Sequence, residues 1–210
     1  MIKVKMIDKM GSDLSVVNAA RVSYAKVKNQ FEDKDAKLIS FLAKHGHWSP
    51  FAHASISFRI KAPVFVARQL VKHQVGLSWN EVSRRYVSYE PELYKIDEWR
   101  GKPVDSKQGS AGVVELSDLA KVCYDKMMEG CKILYDQLLS EGVAPEQARA
   151  VLPQSMMTEW IWSGTLYAFA RVCDLRCKPD VQKETREVAE FIDSYSLIHF
   201  PISWHALRPR

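Results

Sequence analysis

Residues 53–61 alternate with a period of two: Ala54, Ile56, Phe58 and Ile60 are apolar, and His53, Ser55, Ser57, Arg59 and Lys61 between them are polar. Successive side chains of a strand point to opposite faces, so this run asks for a strand with one dry and one wet face. Such a strand is stable only in a sheet whose dry face is covered. A second alternation, Ile2, Val4 and Met6 against Lys3 and Lys5, predicts another strand over residues 1–8. Most other apolar positions recur in steps of three and four. Residues 14–25 and 33–44 read as surface helices, the first after a Gly11-Ser12-Asp13 turn and cap, the second stopped by Gly46. Pro63 opens a helix over 64–75 that Gly76 ends, residues 116–140 form a long helix serving as a spine or an oligomer interface, and Pro145 starts a helix that Pro153 ends. Further helices fit 164–175 and 180–197, and the Gly-, Pro- and Ser-rich residues 99–113 read as a mobile surface loop. With two or three strands early and helices late, the expected class is α+β. The expected architecture is a small antiparallel sheet flanked by helices, with a long helical spine, in one domain over 1–210.

Composition excludes several classes. The 210 residues are 47% hydrophobic and 26% charged, ample for a packed core. No apolar run approaches the roughly 18 residues of a membrane span, and the N-terminus lacks a signal-peptide core, so a cytoplasmic protein without membrane contact is expected. Cys123, Cys131, Cys173 and Cys177 make no Cys-x-x-Cys pair and read as reduced thiols. The formal net charge of +5 favours anionic partners, leaving anionic small molecules and nucleic acid both open. Gly-x-Gly-x-x-Gly, the P-loop and Gly-x-Ser-x-Gly are all missing, so Rossmann, P-loop NTPase and α/β-hydrolase readings lose their signatures.

Polar residues crowd residues 68–86. Lys72 and His73 end the expected helix, Gly76 turns the chain, and Asn80, Glu81, Ser83 and Arg85 follow. If that last stretch is extended, Glu81, Ser83 and Arg85 share one face, a carboxylate, a hydroxyl and a guanidinium suited to a polar heterocycle and a phosphate. The competing reading is a charged surface turn. Arg149, Arg171 and Arg176 form a second basic set, as phosphate clamps or as isolated surface arginines. His45, His47 and His53 lack the supporting ligands of a metal site, and none is expected. Cys173 and Cys177, one helical turn apart, are a redox pair or, among apolar neighbours, core packing. Trp79, Tyr86 and Tyr89 beside the basic segment would be the stacking groups of a nucleic-acid-binding module.

Several ordered blocks resemble the flavin-dependent thymidylate synthases. They are Asp13-Leu14-Ser15 through Arg21-Val22-Ser23, Lys44-His45-Gly46-His47 through His53, Lys61-Ala62-Pro63 through Arg68-Gln69, Ser78 through Tyr86, Arg149-Ala150-Val151-Leu152-Pro153, and Leu175-Arg176. The resemblance implies a homotetramer with active sites shared between subunits. It implies FAD bound without a Rossmann fold, dUMP as substrate, methylenetetrahydrofolate as carbon donor and NADPH as reductant. It puts Ser23, His53, Lys72, His73, Gln74, Asn80 and Glu81 at FAD, with Thr165, Tyr167 and Arg171 on a further flavin-facing helix. Gln69, Lys72, Glu81, Ser83, Arg85, Arg149 and Arg176 fall on the nucleotide, and Arg176, Arg85, Ser83 and His53 on the chemistry. This chain departs from the family in its signature. Arg-His-Arg, seven residues, Ser becomes Lys72-His73-Gln74 and eight residues before Ser83, and the family's Asn, Arg and Asn helix becomes Thr165, Tyr167 and Arg171. A catalytically silent homologue that keeps the flavin is the alternative these departures permit.

Overall fold

The computed structural model describes residues 1–104 and 109–209. Among them four strands form one antiparallel sheet in the order β1-β2-β4-β3: β1 (Lys3–Met10), β2 (Ser55–Pro63), β3 (Leu77–Glu81) and β4 (Met157–Thr165). As the alternation requires, Ile56, Phe58, Ile60 and Ala62 of β2 are buried and Arg59 is exposed. Trp160 and Trp162 of β4 lie opposite Ile60 and Phe58 and extend the dry face. Two helices cover it, α6 (Leu166–Arg176) and α7 (Lys183–His199). The Phe169 ring of α6 meets Phe58 at 5.2 Å and Trp162 at 5.3 Å, both edge-on.

β4 departs from the expected early strands and late helices. Ile161 interrupts its alternation and Gly164 resembles a break, yet the strand pairs with β2 and β3 on its two sides. The helix expected over 164–175 therefore starts only at Leu166, where Thr165 Oγ1 accepts from the Ala168 amide at 3.1 Å. Gly164 is required there: a Cβ would lie 2.6 Å from the Gly76 carbonyl oxygen and 2.4 Å from Leu77 Cδ2. Gly76 itself has φ of 76° and turns the chain into β3.

The outer helices are α1 (Asp13–Arg21), α2 (Asp33–Lys44) and α8 (Pro201–Leu207). Asp13 Oδ1 and Oδ2 accept from the Ser203 and Ile202 amides at 2.8 and 3.1 Å, so α1 caps α8. α2 has the expected bounds. The helix expected over 14–25 stops at Arg21 and continues as a 3-10 turn, Val22–Tyr24, before Ala25 enters the left-handed region at φ 53°. Buried Asp35 ties down the chain beyond it, accepting from Arg21 at 2.8 Å, Lys28 at 2.5 Å and the Glu32 amide at 2.9 Å. Burial alone would raise this carboxyl, but the Lys28 ammonium and Arg21 guanidinium overcome it and hold the pKa at about 2.

α3 (Val64–Leu70) ends five residues before its expected limit, the helix expected over 180–197 is α7, shifted to Lys183–His199, and α8 follows Phe200, where no helix was expected. α4 (Asp118–Ser140) starts two residues later than expected and runs as a long helix outside the core, with Tyr135 its one fully buried residue and Leu119, Val122, Met127, Ile133 and Leu134 exposed. α5 (Pro145–Ala148) passes into a 3-10 turn, Arg149–Val151. Residues 105–108 of the expected mobile loop lie outside the described residues. On either side of them, the Gly101 amide donates to Gly112 O at 2.9 Å and Arg100 donates to both oxygens of Glu184 at 2.6 and 2.8 Å. Among the described residues no helix is long and apolar enough to cross a membrane.

Candidate active site

α3 buries Val66, Ala67 and Leu70 and turns Arg68 and Gln69 outward. Residues one apart on a helix do not face the same way, so these two side chains line different clefts. The Gln69 cleft, about 580 Å³, is bounded by Phe65, Trp99, Arg100, Arg176 and Gln182. Gln69 donates to Gln182 and accepts from Thr185 Oγ1 at 3.2 Å, which fixes its amide. Arg176, from the end of α6, donates through Nε to His73 Nε2 at 3.0 Å. Burial and the positive charges of Arg176 and Arg171 hold the His73 imidazole below its ordinary pKa, consistent with a neutral ring that accepts at Nε2.

The second cleft, about 570 Å³, holds Arg68, Glu81, Arg84, Arg149 and Thr158. Glu81 ends β3, accepting from Thr158 Oγ1 at 2.7 Å and from Trp79 Nε1 at 3.2 Å. Arg149 donates to Glu146 O at 3.2 Å and is exposed. The expected shared face of Glu81, Ser83 and Arg85 is not formed. The sheet ladder closes at the Val82 amide, which donates to Glu159 O at 2.9 Å, and the chain then turns. Ser83 Oγ accepts from the Arg85 amide at 3.3 Å and from Arg85 Nε at 3.2 Å, while Arg84 is buried over the Tyr89 ring. The hydroxyl and guanidinium meet through this turn and not through strand periodicity.

Lys72 and His73 are likewise off the helix. They lie with Gln74 in the turn between α3 and β3, where Lys72 and Gln74 are exposed. Asn80 is exposed on β3. Thr165 spends its hydroxyl on the α6 cap, Tyr167 lies 6.2 Å from the Trp48 ring, and Arg171 is exposed. Ser23 opens on a third pocket, about 290 Å³, bounded by Leu42, His47, Trp48 and Ser49. His53 is outside that lining, at the exposed end of a 3-10 turn, Ser49–His53. His47 and Ser49 therefore join Ser23 without having been singled out as binding residues; their signal was the resemblance block Lys44 through His53, in which only His53 was assigned to the flavin. Trp99, Arg100 and Gln182 carried no local signal, because a loop and a helix start far apart in sequence form that wall.

Ion pairing divides the arginines, and Arg68 and Arg84 of the second cleft are among those without a carboxylate partner among the described residues. Arg21, Arg59, Arg100, Arg186 and Arg208 each pair with a carboxylate. Among the described residues none of Arg85, Arg149, Arg171 and Arg176 does. Unpaired guanidiniums lining or flanking clefts are what an anionic, phosphate-bearing ligand requires.

The family model described as thymidylate synthase complementing protein matches residues 5–198. The flavin-dependent thymidylate synthase of Thermus thermophilus is 37% identical over 203 residues, covering 97% of this chain and 74% of its own. That of Thermosipho africanus is 38% identical over 189 residues, covering 89% and 82%. Among solved structures, the UMP/dUMP methylase PolB from Streptomyces cacaoi, bound with 5-Br dUMP, superposes with a TM-score of 0.86 at 31% identity, covering 98% of this chain and 94% of its own. With the family match spanning nearly the whole sequence and the fold shared at that level, the chain belongs to the thymidylate synthase complementing family, that of the flavin-dependent thymidylate synthases.

Proposed function

We propose that the protein makes dTMP by methylating uracil C5 of dUMP, with methylenetetrahydrofolate as carbon donor and FAD reduced by NADPH as hydride source, in a homotetramer whose sites draw on more than one subunit. Family membership supports the reaction class. The observation that carries the site assignment is the distribution of unpaired arginines: Arg176 stands with Gln69 in one cleft and Arg149 with Glu81 in another. A nucleotide held by both sets takes them from two copies of the chain.

The residues fit a flavin dinucleotide in kind. Lys72, His73 and Arg171 supply positive charge or donors for its phosphates, and Ser23, Asn80 and Glu81 supply polar contacts. Lys72 and Gln74 offer an ammonium and an amide, so bidentate phosphate recognition falls to Arg171. When bound, FAD supplies the hydride. The chain's own part is to orient and to stabilise charge. Uracil C5 becomes nucleophilic as electron density enters the ring and negative charge grows toward the carbonyl oxygens, where Arg176 and Arg85 donate. Neutral His73 holds the Arg176 guanidinium by its Nε, leaving both terminal NH2 groups free for the nucleotide. Gln69, locked by Gln182 and Thr185, presents a fixed amide to the base.

Complementation tests both the residues and the sharing. Arg176→Ala and Arg149→Ala should each weaken dUMP binding by about 1.5–3 kcal/mol. Mixed after dissociation and reassociation and assayed at low dUMP, the two weakened variants should regain about a quarter of wild-type activity if each site takes one arginine from each of two copies. No recovery in a verified mixed tetramer means one subunit supplies both. A wild-type protein that binds FAD and dUMP yet never oxidises the reduced flavin in a dUMP-dependent way is the silent homologue.

A further inference from the structure

We infer that Trp48 and Tyr167 form an aromatic platform on which a planar ring of FAD stacks, so that stacking provides part of the cofactor's binding. This rests on the functional reading above. Trp160, Trp162 and Trp204 are buried, whereas Trp48 is 56% exposed. It lines the Ser23 and His47 pocket, and its ring centroid is 6.2 Å from that of Tyr167 at an interplanar angle of 41°. Tyr167 packs against the hydrophobic core, so its ring is firmly backed. Trp48 is set by the preceding turn, with Gly46 at φ 69° and the Trp48 amide donating to Gly46 O at 2.9 Å. Rigid aromatic faces beside a polar rim of Ser23, His47 and Ser49 suit a heteroaromatic ring with hydrogen-bonding edges.

The neighbouring side chains leave room for this role. The Thr165 hydroxyl is engaged as the α6 cap, and Lys72 and Gln74 hold no guanidinium. Four residues after Tyr167, on the same flank of α6, stands Arg171, and Arg176 follows at the helix end, about 13 Å from Tyr167 along the axis. Aromatic pair, unpaired cation and nucleotide cleft thus follow one another along α6 in the order ring, phosphate, substrate. The stacked ring is isoalloxazine or adenine, whose shared chemistry is a flat, polarisable heterocycle.

FAD titration of the full-length apoprotein, followed by flavin fluorescence, tests the platform. Trp48→Leu and Tyr167→Leu should each weaken FAD about tenfold, the scale of losing one aromatic–base stack. Trp48→Phe, which keeps a ring, should stay within about threefold of wild type. Weakened FMN binding in Trp48→Leu identifies isoalloxazine as the stacked ring; unchanged FMN with weakened ADP competition identifies adenine. If wild type binds FAD and both leucine variants bind within about twofold of it, the stacking platform is overturned while the functional reading stands. A wild type that takes up no FAD overturns that reading itself. Because Trp48 is exposed, its variants should melt as wild type does, and they decide the matter alone if Tyr167→Leu fails to fold.

Discussion

At Asp35 one carboxylate gathers Arg21, Lys28 and the Glu32 amide, and with Asn18, which bonds both the Lys28 amide and carbonyl at 2.9 Å, it shapes the chain beyond Ser23. Asp35→Asn should destabilise the fold by about 1–3 kcal/mol, because the amide cannot satisfy two cations. The pH sign follows from a folded-state pKa of about 2 against the ordinary 3.8: the contribution is complete above pH 3.8 and is lost as pH falls toward 2. Thermal melts between pH 5 and pH 2 should therefore fall more steeply for wild type than for Asp35→Asn, and parallel curves would refute the assignment. His73 titrates in the opposite context. Its imidazole midpoint, followed by NMR, should lie below 6.5 and move up in Arg176→Ala, since burial and then Arg176 depress it. Cys173 is fully buried, donates to Ala189 O at 3.6 Å and is pushed well up by burial, while the Cys173 contact lowers its half-exposed neighbour Cys177. With no thiol lining any of the three pockets, changing all four cysteines to serine should keep dTMP formation within about tenfold. A uridylate adduct on any residue would overturn this.

Among the elements, those with one uninterrupted period were legible. β2 alternates without a break and α2 keeps its steps up to Lys44, so both lie where the pattern puts them to within two residues. β4 was hidden because its neighbours in the sheet, not its own pattern, decide its conformation, and because Gly164 serves a close approach that sequence cannot show. The same holds for the site. Residues 68–86 could be marked as chemically dense, but the faces depended on where α3 and β3 stop, and both end early: α3 at Leu70, where the chain turns toward Gly76, and β3 at Glu81, where buried Arg84 draws the chain inward. Gly164→Ala measures how far that junction matters. Its Cβ would meet the Gly76 carbonyl, so a loss of about 1–3 kcal/mol is expected, with displaced amide resonances from His73 to Leu77. A fully stable variant with an unmoved turn would show that the contact relaxes freely.

For the molecule as a whole, α4 presents an apolar face that the subunit itself does not cover. Leu119 is 74% exposed and Ile133 61%, and with Val122, Met127 and Leu134 they leave an apolar stripe along a helix of 23 residues whose one fully buried side chain is Tyr135. Such a surface is costly in water, at about 25 cal/mol per Å² of apolar area, and is what an oligomer interface covers. A second copy is the occupant that also accounts for the division of Arg176 and Arg149 between two clefts, since the proposed shared site needs two chains in contact. Leu119→Glu with Ile133→Glu should therefore break the proposed tetramer in sedimentation while far-ultraviolet circular dichroism stays that of the folded subunit, because neither side chain supports the core. Turnover should fall with the tetramer, and dUMP affinity should drop by about the 1.5–3 kcal/mol assigned to one missing arginine. A charged double variant that remains tetrameric and active would place the interface elsewhere, whereas one that is monomeric yet fully active would dismantle the shared site.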